Sequence, residues 1–195
     1  MKNPSHEDVD YHITEQLEER ITSLNETAEK IIRTETQRAA MLAQEAYDLS
    51  KKHKYLPGQA NALLNLGKAS RFFSCYDKGL EQLEKALEIL QMIGDTAGII
   101  GALNNIGHIY NSTGRSQDAL ELHRQAYELS QELGNPIFEA NSLVFIGNVY
   151  HHTGNHGEAL KAQHSAYELY LAAEDVTGQA FALNNMGSAH HAASA

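Results

Sequence analysis

Histidine is the residue type with the clearest chemical potential in this chain, at eleven of 195 positions. The tightest group is His151-His152-Thr153-Gly154-Asn155-His156, and His190-His191 return one repeat later at nearly the same register. Imidazole nitrogens ligate zinc and exchange protons near neutral pH. Adjacent helical residues point about 100° apart, so His151 and His152 do not converge on one ion. No cysteine or paired carboxylate stands beside them. They read as solvated residues near a helix end, where an imidazolium suits the dipole. Phosphate loops, nucleophile elbows and HExxH helices are missing as well, so the sequence predicts no catalytic residue, no metal and no cofactor.

Asparagine forms the second group. Asn65, Asn105 and Asn185 share one register, Phe145 holds that place between them, and Asn61, Asn104, Asn141, Asn148 and Asn184 stand close by. Asparagine inside a helix is disfavoured by roughly 0.5 kcal/mol against alanine, so a row of them calls for a reason. One reason is structural: the amides bond between neighbouring helices.

These residues are positioned by a repeat. Gly67, Gly107, Gly147 and Gly187 recur every forty residues, preceded by Leu63, Leu103, Leu143 and Leu183. Gly79, Ala119 and Ala159, then Ala86, Ala126 and Ala166, mark the second half of each unit. Two stripes at helical spacing, separated by a break such as Thr113-Gly114-Arg115-Ser116, make each unit a helical hairpin. Gly114 is expected to end one helix and Ser116 to cap the next, while Pro136 opens a helix. Small residues at 107, 119 and 126 predict close approach of the two backbones. A lone hairpin is marginal, so stability comes from stacking. The predicted fold is all-α, a right-handed superhelical α-solenoid.

The pattern resembles the tetratricopeptide repeat. Ala-Leu-Asn-Asn-Ile-Gly-His-Ile-Tyr at 102–110 and Ser-Leu-Val-Phe-Ile-Gly-Asn-Val-Tyr at 142–150 match that family's first-helix motif, and Ala119, Ala126, Ala159 and Ala166 its small positions. The departures are a period of forty, the absence of tryptophan, and Leu83, His123 or Gln163 where the family commonly has Phe. Longer repeats of this kind are similar to those of kinesin light chain, G-protein regulators and bacterial Rap-type regulators. The resemblance implies a concave face made by the first helices, on which asparagines bond the backbone of an extended peptide. That gives the asparagine row its second reason, and one ladder can serve both. The implied peptide-binding set is Asn65, Lys68, Arg71, Asn104, Asn105, His108, Asn141, Phe145, Asn148, Asn184 and Asn185. The two-lysine carboxylate clamp of chaperone-binding relatives is not reproduced. His108 and His123 occupy positions held elsewhere by Lys68 and Asn148, and by Leu83 and Gln163, and read as interchangeable surface or packing residues.

Residues 1–10 read as a disordered terminus and 11–195 as one solenoid: a degenerate capping repeat at 11–56, full repeats at 57–96, 97–136 and 137–176, and the first helix of a truncated repeat at 177–195. Ile13, Leu17, Ile21, Leu24, Ala28 and Ile31 predict one long amphipathic helix from Tyr11 to Ile32. The unfinished fifth unit predicts a chain cut from a longer protein, and the apolar Phe181, Leu183 and Met186 a homodimer through that helix. A single cysteine, Cys75, fits a reducing cytosol. The net charge of −10 argues against nucleic acid, and no segment approaches a membrane span. The expected function is a non-enzymatic, cytoplasmic scaffold that binds a protein or extended peptide, as the regulatory or interaction domain of a larger signalling protein. The alternatives are a homotypic oligomerisation module and a metal- or small-molecule-responsive sensor.

Overall fold

The computed structural model describes the backbone of residues 6–193 and the side chains of 15–193. The segment 1–5 of the expected disordered terminus, together with the side chain of Ile13, lies outside the described residues. Nine helices and no strand occur among the described residues: α1 His6–Ile31, α2 Thr36–Lys52, α3 Leu56–Phe72, α4 Tyr76–Ile93, α5 Thr96–Ser112, α6 Ser116–Leu133, α7 Pro136–His152, α8 His156–Ala172 and α9 Val176–Ala193. The chain divides into two compact units, Met1–Ile93 and Gly94–Ala195.

In the first unit α1 packs on α2 and α3, and α3 packs on α4. Ala28 of α1 and Ile32, just past its end, meet Ala39 and Ala43 of α2 and Leu66 and Ala69 of α3 in one core cluster. Ile21, Ala46 and Ala62 form a second, flanked by Leu24, Tyr47 and Tyr55. In the second unit each helix packs on the next, and α7 touches both α5 and α9. Ala119 and Leu120 join Ile146 and Val149, while Ala140, Val144, Ala166, Tyr170 and Ala182 make the other cluster. Alanines at fully buried positions let the helices come close, and the aliphatics fill what remains.

The turns repeat more faithfully than the sequence does. Gly114 and Gly154 take left-handed φ values of 83° and 78° within the hairpins, and Ser74, forty residues before Gly114, takes 57°. Between hairpins, Gly94 and Gly134 have partners at the same spacing in Lys54 and Glu174, both at 57°. A residue with a Cβ is strained there by about 1–2 kcal/mol. Ser74→Gly is therefore expected to stabilise the first unit by up to about 1 kcal/mol, because glycine's own chain entropy takes back part of the gain. A chemical denaturation midpoint equal to that of the parent chain contradicts this.

Caps follow local chemistry. Asp95 and Asp175 accept from the amides of Gly98 and Gly178 at 2.9 and 3.0 Å, and Asn135 accepts from those of Ile137 and Phe138 before Pro136 opens α7. Ser116 does not cap α6. It is the first helical residue, and its hydroxyl donates to Asn111 Oδ1 at 3.2 Å.

Candidate functional site

The repeat glycines make room for one side chain from the following helix. A Cβ at Gly67 would lie 2.5 Å from Leu83 Cγ, one at Gly107 2.7 Å from His123 Cε1, and one at Gly147 2.6 Å from Gln163 Nε2. In α5 and α7 the space is thus filled by a side chain, whereas the sequence suggested two backbones in contact. Residues 83, 123 and 163 share a register, and all three are essentially fully buried.

His123 brings a polar network with it. Asn104 Nδ2 donates to Ser142 Oγ at 3.0 Å, so Asn104 Oδ1 is the acceptor facing His123 Nδ1 at 2.9 Å, and the imidazole is neutral with its proton on Nδ1. Burial, followed by the charge of His108, depresses the His123 pKa to about 3. Gln163 plays the matching part in α8: its Nε2 donates to the Val144 carbonyl at 3.0 Å and to Asn148 Oδ1 at 3.1 Å, and its Oε1 accepts from Asn185 at 3.5 Å.

Phe145 stands where the register has asparagine elsewhere, and its ring stacks on His123 with centroids 5.1 Å apart and planes 7° from parallel. The His108 ring meets it edge-on at 5.8 Å. Together with Asn111, Asn148 and His152 these residues line a concavity of about 260 Å³. Asn111 Nδ2 and His152 Nδ1, 2.8 Å apart, tie α5 to α7 at its rim. Since Gln163 takes the oxygen of Asn148, the nitrogen of that amide remains as a donor. The pocket therefore offers an aromatic face, an amide donor and imidazoles, and no carboxylate or ammonium.

The sequence-derived candidates divide. His108, Phe145 and Asn148 come together in this pocket, with Asn104 directly beneath it. Asn65 is buried and donates to the Asn25 carbonyl at 2.9 Å, Asn105 turns back to Gly101 of its own helix at 2.8 Å, and Asn141 accepts from the Tyr170 hydroxyl at 2.6 Å. Burial, then the charge of Asp175, raises the Tyr170 pKa to about 12. Lys68 pairs with Glu29 at 2.6 Å. Arg71 is half-buried; burial, then the charge of Arg33, lowers its pKa, and its guanidinium lies 4.7 Å from the Phe72 ring. Asn184 is exposed. On α9, Phe181 and Leu183 are 37% and 51% exposed and Met186 is half-buried. His151 and His156 meet across the α7–α8 turn with ring centroids 5.3 Å apart, and burial, then the charges of His156 and His152, lowers the His151 pKa. No group of three metal-ligating side chains is found among the described residues, and none of their helices is long and apolar enough to cross a membrane.

Sequence reasoning missed Asn25 and Asn111, and it read His152 as a solvated residue near a helix end where the structure places it in the pocket lining. Asn25 lies forty residues before Asn65 and carries the same register. It was hidden because Thr27 replaces the repeat glycine there.

Stacked helical hairpins with a small residue at each crossing define a repeat scaffold. Residues 58–132 match the tetratricopeptide repeat family model, and the helical hairpins on either side of that segment continue the same fold. Three solved structures share the fold. A Rap protein complexed with competence and sporulation factor is 18% identical with a TM-score of 0.77, over 89% of this chain and 52% of that one. Aspartyl phosphate phosphatase F from Bacillus subtilis is 17% identical with a TM-score of 0.73, over 90% and 48%. A Podosopora anserina putative kinesin light chain with nearly identical TPR-like repeats is 16% identical with a TM-score of 0.64, over 90% and 87%. The chain spans about half the length of the first two. No curated protein matches it in sequence.

Proposed function

We propose that the chain is a non-enzymatic scaffold that binds an extended peptide segment of a partner protein, as the interaction domain of a larger signalling protein. The observation that carries this reading is the convergence of Phe145, His108, Asn148 and His152 on one concavity of about 260 Å³. That volume falls just below the roughly 300–1,000 Å³ of small-molecule sites, which favours one anchoring side chain over a whole ligand. An aromatic floor with a single amide donor suits an apolar anchor whose backbone carbonyl reaches Asn148. The net charge of −10 favours protein over nucleic acid. A Rap protein of similar fold is complexed with competence and sporulation factor, which fits a binding role for such a surface.

Selection of displayed peptides on the whole chain, followed by affinity measurement, tests the reading. Phe145→Ala and Asn148→Ala are each expected to weaken the selected peptides by about tenfold or more, or roughly 1.4 kcal/mol. The Asn148 position is only half-buried, so that variant keeps its helicity. Unchanged affinity in both variants removes this pocket from the function.

A further inference from the structure

A second concavity lies in the first unit, between α1 and α3. It measures about 170 Å³, and its lining includes Asn25, Glu26, Glu29, Tyr55, Asn61 and Lys68. Asn25 is 5% exposed. Its Nδ2 donates to the Gly58 carbonyl at 3.1 Å and its own carbonyl accepts from Asn65, yet its buried Oδ1 receives no hydrogen bond. A buried acceptor is unfavourable until a donor reaches it, so this wall of the pocket asks for an N–H or O–H.

The surrounding charge selects between neutral and cationic donors. Glu29 lies 2.6 Å from Lys68, and Glu26 lies 4.0 Å from Lys30. A shallower recess shares Thr22, Glu26 and Tyr55 with the pocket and adds Glu15, Glu18 and Glu19. Among the described residues, these five carboxylates (15, 18, 19, 26 and 29) outnumber the two ammoniums (30 and 68). The field at the mouth is negative and attracts positive charge. The size admits one head group and excludes a larger molecule.

We propose that this pocket takes the cationic head group of a lysine or arginine on a basic segment of a partner protein, with Asn25 Oδ1 accepting one N–H and Glu26 supplying the counter-charge. The site lies in the other unit from the Phe145 pocket and shares no residue with it, so either assignment can fail while the other stands.

The experiment is an NMR-detected titration of the whole chain at low salt. The ligands are a blocked pentapeptide with a central lysine, its arginine counterpart, its acetyl-lysine counterpart and putrescine. The lysine and arginine peptides are expected to saturate and to weaken with salt, and the acetyl-lysine peptide to bind about tenfold more weakly or not at all. Glu26→Lys, at a side chain 62% exposed and safe for the fold, is expected to abolish binding. Asn25→Ala is expected to weaken it by about fivefold or more, with circular dichroism confirming its helicity. Three results overturn the proposal: no saturable shift at millimolar peptide, equal binding of the acetyl-lysine peptide, or undiminished binding by Glu26→Lys. Putrescine binding more tightly than either peptide overturns the peptide as occupant and assigns the site to a free amine.

Discussion

Gly107→Leu is expected to destabilise the second unit by about 3 kcal/mol or more, read as a large fall in the urea midpoint. The first added carbon already meets the His123 ring, at 2.7 Å from Cε1 and 2.9 Å from Nε2. That ring has little freedom to retreat, because Asn104 holds its Nδ1 and Phe145 covers its face. Overpacking alone costs about 1–3 kcal/mol, and pushing the ring off Asn104 strands a buried acceptor for about 1–3 kcal/mol more. Gly187→Leu is the matched control. It has the same repeat register with nothing within 4 Å of its Cβ, and it should change stability by less than about 0.5 kcal/mol. If both variants melt with the parent, the packing described for the repeat glycine is wrong.

Acid should weaken the second unit through His123 in particular. Its pKa is about 3 in the fold and about 6.5 in the unfolded chain. The unfolded state therefore binds the proton first. The stabilisation is fully present above pH 6.5 and is lost progressively as the pH falls from there toward 3. Each unit of pH in that window removes up to about 1.4 kcal/mol, so two units below the unfolded pKa remove about 2–3 kcal/mol. Other groups titrate too, so the informative quantity is a difference. His123→Gln reproduces the residue that fills the same space above Gly147 and removes the titration. Between pH 7 and pH 4.5, the parent should lose about 2–3 kcal/mol more than this variant in denaturation experiments. Parallel pH profiles would exclude the buried neutral imidazole.

The period of forty exposed the helical hairpins, because glycine and alanine at fixed spacing leave a trace that one dimension can carry. It could not show that residues 83, 123 and 163 fill the space above the glycines, since their pairing depends on how two helices cross. Leu, His and Gln share no chemical label. The asparagine row was visible, but its members have different fates: Asn65 crosses to α1, Asn105 bonds its own helix, and Asn148 is held by Gln163 beside the pocket. The turn at Ser74 has no glycine, yet it keeps the left-handed backbone of its neighbours. Backbone geometry there is imposed by the packing of the helices it joins, and the local residue type has only to tolerate it.

The space above each repeat glycine lets neighbouring hairpins differ in acid lability while keeping one backbone. The α3–α4 hairpin, filled by Leu83, has nothing there to titrate, nor does α7–α8 with Gln163, whereas α5–α6 contains an imidazole that must stay uncharged. In a stack where each element is stabilised by its nearest neighbours, one weakened member opens before the rest. Acidification should therefore loosen the second unit first at α5 and α6, releasing Ser142 and the stacked Phe145 while α8 and α9 still hold. Hydrogen exchange at mildly acidic pH would show this as early loss of protection on those two helices, with a weak point that a single histidine sets and a single substitution can move.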